Sequence, residues 1–470
     1  MRVVPFTLPF RDPAAHFLRE ISRPANHLRC IERLATLSAR QLDALERANE
    51  GEPEESADGE ADALEMRALF MNARSSARGL ARELAAGEWQ PKPARLLLAT
   101  LDKPRLLHRF DPLDLIVHGA VTAALEQLVL ARLSPRVHSF QRGRSTLLAQ
   151  REFAAWLREH ARTNPDPRTR GLYILRRDVR AFGDSVPLGK SAPIWTQLEQ
   201  LLGGQRENPH VAKALAIIEQ VVRPTVVVEG GGACMRLRGL PTGSPINPVM
   251  VNLNLMPIDA RLADIPGGFY SRYGDDFLFA HPDAGAAREA SRCLDAELAL
   301  LGLHAHEKKR RDLWLNGSGR PSPVSDFTSV RETTFLGKAI SISGNVRVPV
   351  EKLQELFAEL ERRLRHTIRL ARAGSRMSEE DELKLLCSIA ADGLTPHSPI
   401  VLPHAADLRA EIDDRGQLRD VELRVVRLIV QIARGTSSAR ALRDIPPSRL
   451  RALGLPGLVS PRSAPRSAPR

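Results

Sequence analysis

Cysteine and aromatic residues are scarce in this sequence, and long hydrophobic runs are missing. The four cysteines, Cys30, Cys234, Cys293 and Cys387, lie far apart and form no CxxC pair, so the sequence predicts neither a disulfide framework nor a zinc knuckle. This cysteine usage is typical of a reducing cytoplasm, where we expect the protein to reside. No run of 18 apolar residues occurs, and the first residues lack the features of a secretory signal, so we expect neither membrane insertion nor secretion.

Lysine is also rare, and the positive charge of the chain is carried almost entirely by arginine. The 470 residues include 68 Lys and Arg against 56 Asp and Glu, a net charge of +12, and only nine of the basic residues are lysines. Guanidinium groups bind phosphate through paired hydrogen bonds and stack on bases, so the composition favours a nucleic-acid partner. A GC-rich genome also enriches arginine, and that explanation stays open. The hydrophobic content of 43% excludes wholesale disorder.

Hydrophobic periodicity and turn residues predict an α+β protein. Apolar residues recur at helical spacing from 12 to about 84, with an acidic, solvated loop at 50–62, and again at 113–133, 147–162, 348–373 and 420–434. Strand-like segments lie between these helices, at 171–179, 225–229 and 269–280. The chain ends in repeats of Ser-Ala-Pro-Arg that cannot pack a core.

Three acidic residues occur where strands are predicted to end or turn. Gly274 and Asp275 suit the two central positions of a tight hairpin, which places Asp275 and Asp276 at its tip, although turn propensity alone also explains such a sequence. Asp178 ends another apolar strand, and a Gly/Pro-rich loop at 239–248 leads into an apolar helix. Clustered carboxylates repel one another unless cations lie between them, and two Mg²⁺ ions about 3.5–4 Å apart are the usual arrangement for phosphoryl transfer.

In the order of its motifs the chain resembles the bacterial reverse transcriptases, the group of group II intron, retron, diversity-generating and phage-defence enzymes. The resemblance covers half the chain, from about 103 to 338. Segments 176–186, 239–248 and 273–276 resemble the first catalytic strand, the GLPQGSPLSP loop and the YxDD hairpin of the family. Segments 139–146, 302–309 and 335–337 resemble its SFGFRPGRS fingers motif, its GLxLNxxKT motif and the FLG turn of its primer grip.

The resemblance implies an RNA-directed DNA polymerase. The expected metal site consists of Asp178, Val179, Asp275 and Asp276, with the three aspartates catalytic and two Mg²⁺ ions bound, Mn²⁺ being an alternative. The nucleotide site expected from the resemblance consists of Arg105, Phe182, Gly183, Thr242, Gly243 and Lys309, and the primer grip of Phe335, Leu336 and Gly337. The implied partners are an RNA template, a DNA product and dNTPs, with a dedicated non-coding RNA and a second copy of the chain as further options.

The implied fold is a right hand with helical extensions at both ends. It divides the chain into a helical N-terminal extension (1–100), fingers and palm with an antiparallel sheet (101–345), a helical thumb (346–395), a C-terminal helical region of unassigned role (396–458) and a flexible basic tail (459–470). No His-Asn-His nuclease motif and no Cys-based DNA-binding module follows the thumb, which argues against a complete group II intron protein. A stand-alone phage-defence enzyme fits best, and a retron-type enzyme stays open.

Three residues of the expected nucleotide pocket depart from the family pattern. Gly183 is the fifth residue after Asp178, where the family has a bulky aromatic ring that excludes a 2′-hydroxyl, although a one-residue shift would give that role to Phe182. Thr242 replaces the Gln of the family loop, and Asn247 its second Ser. These changes leave two other hypotheses open, an untemplated or ribonucleotide polymerase and an RNA-binding protein with a vestigial site.

Two histidines follow the predicted palm strands. His304 and His306 alternate near Lys308, but no Cys or further His lies at ligand spacing from them. We therefore interpret them as ordinary strand residues and not as metal ligands.

Overall fold

The protein is built from α-helices and short β-strands, the α+β mixture that the sequence predicts. The computed structural model describes residues 10–48, 67, 69–100, 104–167, 169–228, 231–374, 376–395, 401–409 and 412–459. The acidic segment 50–62, residues 396–400 and the tail from 460 onward lie outside the described residues.

The bounds of the described elements confirm the predicted helices and strand regions. In chain order the helices are α1 (Pro13–Ile21), α2 (Pro24–Ala48), α3 (Ala73–Ala86), α4 (Pro112–Leu130), α5 (Thr146–Thr163), α6 (Phe182–Ser185), α7 (Pro193–Leu201), α8 (Pro209–Val222), α9 (Asn247–Ala263), α10 (Ala284–Leu300), α11 (Val350–Gly374), α12 (Glu379–Leu394), α13 (Ala405–Arg409), α14 (Arg415–Arg434), α15 (Ala439–Asp444) and α16 (Pro447–Ala452). The strands are β1 (Ala94–Thr100), β2 (Pro104–Arg109), β3 (Gly171–Asp178), β4 (Thr225–Val228), β5 (Ala233–Met235), β6 (Phe269–Tyr273), β7 (Asp276–His281), β8 (Arg311–Asn316), β9 (Thr328–Val330), β10 (Glu332–Phe335), β11 (Lys338–Ser341) and β12 (Val346–Arg347).

The chain divides into two compact units. The first comprises Met1–Ala149 and Ile174–Arg311, and the second Gln150–Tyr173 and Asp312–Arg470. The division into fingers, palm and thumb stays a prediction. In the first unit, one sheet has the strand order β2-β1-β4-β5, and a second sheet places β6, β7 and the end of β3 side by side in that order.

The expectation that residues 1–100 are helical is wrong at its C-terminal end, because Ala94–Thr100 form strand β1. This strand pairs antiparallel with β2 and parallel with β4. Its three consecutive leucines show neither helical nor alternating periodicity, so the local pattern carries no strand signal. The strand is formed by pairing with β2, which begins four residues later, and with β4, which lies far away in the sequence.

Helix α4 is an apolar helix in the core of the first unit. Asp111 caps it, because its carboxylate accepts a hydrogen bond from the Leu113 amide at 2.9 Å. Among the described helices, α4 is long and apolar enough to cross a membrane by length and composition alone. More than half of its residues are buried inside the protein, including Ile116, Val121 and Leu125, as expected for a core helix of a globular protein.

Helices α11 to α16 of the second unit pack around one hydrophobic cluster. This cluster contains residues of α11 and α12, such as Leu360 and Leu386, together with residues of α14 to α16, such as Ile429 and Leu450. The predicted thumb and the predicted C-terminal region therefore share a core. The unit also contains the antiparallel sheet β10-β11-β12.

Candidate active site

The hairpin β6–β7 carries two of the predicted acidic residues at its tip. Tyr273 is paired with Asp276, so Gly274 and Asp275 form the two-residue turn between the strands, as the sequence predicts. The backbone of Gly274 has φ +62°, a left-handed conformation that favours glycine. Asp275 therefore lies on the turn, and Asp276 is the first residue of β7.

Asp178 is the last residue of β3, the strand next to β7 in the sheet. The backbone around it is fixed by the segment 304–306: the Asp178 carbonyl accepts a hydrogen bond from the His306 amide at 2.7 Å, and the Arg180 amide donates to the His304 carbonyl at 3.0 Å. Between them, the buried Val179 forms a single β-bridge with Ala305. The structure thus brings Asp178 and Val179 to the same edge of the sheet as the acidic hairpin.

The two histidines do not lie in a strand, so that interpretation is wrong. The segment 304–306 makes only the isolated bridge at Ala305 and then enters a 3₁₀ turn, Glu307–Lys309. This turn places the Lys309 ammonium 2.7 Å from a carboxylate oxygen of Asp178. The two histidines act through their backbone groups, which hold the end of β3.

The three carboxylates lie within one another's electrostatic field. Burial raises the pKa of Asp275, and the charge of Asp178 raises it further. Burial also raises the pKa of Asp276 to about 6, with Asp178 and Asp275 adding to the shift against the opposing charges of Arg176 and Lys309. The hydrogen bond to Asp178 raises the pKa of Lys309. Burial, with a smaller contribution from mutual repulsion, therefore disfavours the ionised forms of Asp275 and Asp276.

The donor set of this edge fits a hard divalent cation in its chemistry. Carboxylate oxygens are the ligands that Mg²⁺ prefers, and a cation relieves the repulsion that raises the pKa of Asp275 and of Asp276. Among the described residues, no group of three or more His, Cys, Asp or Glu side chains already surrounds a single point where a metal ion could be held. In the described structure Lys309 contacts one of the two carboxylate oxygens of Asp178.

Arg272 supports the acidic turn from inside the protein, a role that the sequence analysis missed. Its fully buried guanidinium donates to both carboxylate oxygens of Asp259 on α9, each at 2.7 Å. It also donates to the carbonyl of Gly274 at 2.9 Å and to the side chain of Asn252 at 3.2 Å. Tyr270 completes the network by donating to Asp259 at 2.6 Å. Helix α9 thereby holds the turn on which Asp275 lies.

We predict that Arg272→Lys loosens this turn. A lysine can keep an ion pair with Asp259 but cannot also reach the Gly274 carbonyl, and losing a charged hydrogen bond costs about 1.5–3 kcal/mol. Amide hydrogen exchange of residues 273–277 should accelerate at least about tenfold. Tyr270→Phe is the matched control, since it removes a buried hydrogen bond to Asp259 but leaves the contact to Gly274 intact. Equal exchange in the two variants would contradict the role of Arg272.

The Gly/Pro-rich loop lies against β2 and the helical turn α6. The Leu240 amide donates to the Gly183 carbonyl at 2.7 Å, and the His108 amide donates to the Thr242 carbonyl at 2.8 Å. Gly243 has φ +104°, and a Cβ atom there would lie 2.6 Å from the His108 carbonyl oxygen, so only glycine fits. The structure therefore brings together Gly183, Thr242 and Gly243.

A buried histidine fixes the same loop. His118 on α4 is 1% exposed, and its Nδ1 lies 3.1 Å from the Ser244 hydroxyl. Burial lowers the pKa of His118 to about 3, so the ring is neutral at physiological pH. Nothing in the local sequence pattern singled out this pair, because the two residues are far apart in the chain.

Helical turn α6 contains both candidates for the residue that excludes a 2′-hydroxyl, Phe182 and Gly183. The ring of Phe182 is buried, with 6% exposure. Gly183 is exposed, its backbone lies outside the left-handed region, and no atom lies within 4 Å of the position that its Cβ would take. A Cβ atom can therefore be added at Gly183 without a clash.

The other predicted site residues fall in two places. Arg105 lies in β2, but its side chain is outside the described part of the structure. In the second unit, Phe335, Leu336 and Gly337 form the end of β10 and the two-residue turn to β11. Both turn residues have positive φ, +48° for Leu336 and +82° for Gly337. The Gln150 side chain donates to the Leu336 carbonyl at 2.8 Å and so fixes this turn.

No protein-family model and no curated protein matches the chain. Among solved structures it is similar to telomerases of Candida. Telomerase from Candida albicans, in complex with a TWJ fragment of telomeric RNA, matches with a TM-score of 0.42 and 12% identity over 77% of this chain and 62% of that chain. Apo telomerase from Candida tropicalis matches with a TM-score of 0.41 and 11% identity over 76% and 64%. The chain thus spans less than two thirds of either telomerase chain, and similarity at this level establishes neither a family nor an activity.

Proposed function

We propose that the protein is an RNA-directed DNA polymerase. The observation that carries this proposal is the meeting of Asp178, at the end of β3, with the acidic tip of the β6–β7 hairpin, where burial and, to a smaller extent, the charge of Asp178 raise the pKa of Asp275 and of Asp276. Binding RNA gives no reason to cluster carboxylates, because they repel phosphate. Nucleotidyl transfer does, because its metal ions require oxygen ligands at the reacting groups.

In this proposal the residues have distinct roles. Asp178, Asp275, Asp276 and the carbonyl of Val179 would hold two Mg²⁺ ions, which would activate a 3′-hydroxyl and neutralise the leaving pyrophosphate. Lys309, which lies 2.7 Å from Asp178, would contact the phosphates of the incoming nucleotide. The backbone of Thr242 and Gly243 supports that nucleotide. Catalysis consists of positioning and charge neutralisation.

The proposal includes the right-hand arrangement of fingers, palm and thumb. The partners are an RNA template, the DNA product and dNTPs. We further propose that the enzyme acts in the bacterial cytoplasm in defence against phage, the role implied by its resemblance to stand-alone phage-defence reverse transcriptases.

Primer extension tests the activity directly. The purified full chain is incubated with a primed RNA template, dNTPs and Mg²⁺, and the length and sequence of the product are read. We expect a product complementary to the template and no product when EDTA is added. A product of the same length without template would instead support untemplated polymerisation, and the absence of any incorporation with Mg²⁺ or Mn²⁺ would overturn the proposed function.

The charge of the chain gives a prediction for RNA binding. The affinity for single-stranded RNA should fall steeply with salt, with a slope of about −0.7 in log K against log salt for each phosphate contact, because binding releases condensed counterions. Removing the tail after Leu458 should change this slope only slightly. Fluorescence anisotropy at several salt concentrations measures both. A salt-independent affinity would mean that the net charge of +12 reflects genome composition and not an RNA-binding surface.

A further inference from the structure

Phe140 combines two unfavourable features in one residue of the first unit. Its backbone has φ +56°, in the left-handed region that bulky residues rarely adopt. Its ring is 45% exposed to solvent. The ring centroid lies 6.4 Å from that of Tyr273, the residue that precedes the acidic turn, with an angle of 39° between the ring planes. The exposed face of Phe140 therefore lies beside the candidate active site.

The chain on the N-terminal side of Phe140 is fixed to strand β6. Val137 forms a parallel bridge with Arg272, and the His138 amide donates to the Arg272 carbonyl at 2.9 Å. The Asn252 side chain donates to the Ser139 carbonyl at 3.1 Å. The residues before Phe140 thus cannot move without disturbing the network that holds the acidic turn.

The chain on the C-terminal side turns back at once. The Gln141 side chain donates to the Val137 carbonyl at 2.7 Å, and the Arg144 amide donates to the Gln141 carbonyl at 3.1 Å. The chain therefore reverses its direction at Phe140. A glycine would adopt this backbone without a steric cost, so an exposed aromatic ring here calls for another explanation.

Backbone strain of this kind concentrates at functional positions in proteins. Within the described part of the chain, the other non-glycine residues with positive φ are Ala181, Leu336 and His404. Ala181 follows Asp178 by three residues, and Leu336 lies in the turn predicted to grip the primer. Phe140 shares this association, since its ring touches the neighbour of the acidic turn.

We propose that Phe140 is a stacking platform for one base of the single-stranded RNA template. Every base offers a π-face, so an exposed aromatic ring binds single strands without regard to sequence, and such a stack typically changes affinity about tenfold. Exposed Arg142 lies two residues away, where it can meet the backbone phosphate of the same strand. This inference rests on the proposed function, because it names the template as the occupant.

The test uses the full chain without metal or dNTPs and measures anisotropy of a labelled 12-nucleotide single-stranded RNA. We expect Phe140→Gly to weaken binding about tenfold and Phe140→Trp to keep it within about twofold. The unfolding temperature of Phe140→Gly should stay close to that of the wild type, because relief of the left-handed backbone offsets the loss of a half-buried ring. Leu300→Ala, which truncates a side chain that is 70% exposed, is the control and should change neither quantity.

Single abasic nucleotides locate the stack. At one position of the RNA, the abasic change should weaken wild-type binding, and the same change should have no further effect on Phe140→Gly. The proposal is overturned if Phe140→Gly binds like the wild type, or if the wild type does not bind single-stranded RNA. Normal primer extension with unchanged binding by Phe140→Gly would refute this inference alone, whereas Phe140-dependent binding without any nucleotide incorporation would refute the proposed function.

Discussion

The double substitution of Asp275→Asn with Asp276→Asn is expected to reduce nucleotide incorporation at least about a thousandfold, which corresponds to about 4 kcal/mol of transition-state stabilisation. Asparagine keeps the shape of each side chain but removes the negative charge that would hold a cation. The fold should persist, because burial and the charge of Asp178 raise the pKa of Asp275 and of Asp276, which means that their ionised forms are disfavoured in the folded protein. The unfolding temperature of the metal-free variant at pH 7 should therefore equal or exceed that of the wild type.

A charge-matched control separates catalysis from electrostatic effects on RNA binding. Glu207→Gln with Asp264→Asn removes the same two charges from exposed positions of the same unit. Both double variants should bind RNA at least as tightly as the wild type, and only the hairpin variant should lose incorporation in the primer-extension assay. Undiminished incorporation by the hairpin variant would remove the assignment of these residues and the proposed function with it.

Gly183→Phe is expected to sharpen the preference for dNTPs over rNTPs by about tenfold or more, starting from a wild type that discriminates weakly. In the reverse transcriptase family that the sequence resembles, a ring at this position clashes with a 2′-hydroxyl. Each ~1.4 kcal/mol of such a clash changes the selectivity about tenfold. No atom lies within 4 Å of the position of a Cβ atom at Gly183, and its backbone lies outside the left-handed region, so a side chain can begin there without strain. Steady-state incorporation of each dNTP and its rNTP measures the effect.

The substitution Phe182→Ala tests the other candidate for the residue that excludes a 2′-hydroxyl. Because the ring of Phe182 is buried, we expect its truncation to lower stability, by about 3–5 kcal/mol, and to leave the sugar preference unchanged. If Phe182→Ala instead relaxes selectivity while Gly183→Phe only impairs activity, the gate is Phe182. Strong dNTP selectivity of the wild type that survives Phe182→Ala would rule out both residues as the gate.

The parts of this structure that the sequence predicts are those governed by local rules. Gly274 and Asp275 are flanked by strand-forming residues, so the hairpin and its two-residue turn follow from propensity and turn chemistry. Helix α9 begins where the Gly/Pro-rich loop ends, and Asp178 stands at the end of an apolar strand. Each of these features depends on residues that are close together in the sequence.

The parts that the sequence does not predict depend on distant partners. Strand β1 pairs with the distant strand β4, and its three leucines alone indicate neither this pairing nor the one with the neighbouring strand β2. In the sequence Arg272 belongs to a predicted strand. Only the fold shows that its side chain donates hydrogen bonds to both Asp259 and the Gly274 carbonyl. The sequence also does not indicate that the His304 carbonyl accepts a hydrogen bond from the Arg180 amide, since any residue type offers the same carbonyl.

The shared hydrophobic cluster of the second unit predicts which segments relatives of this protein retain together. Residues from α11 to α16 bury one another in a single core, so a deletion that removed the helices after α12 would expose apolar side chains such as Leu386 and Leu360. The two segments should be selected together, because a form that lacks one of them would be degraded by cellular proteases before any difference in activity could matter. We therefore expect relatives of this protein to retain or lack the two segments together, with insertions and deletions confined to the surface connections between helices.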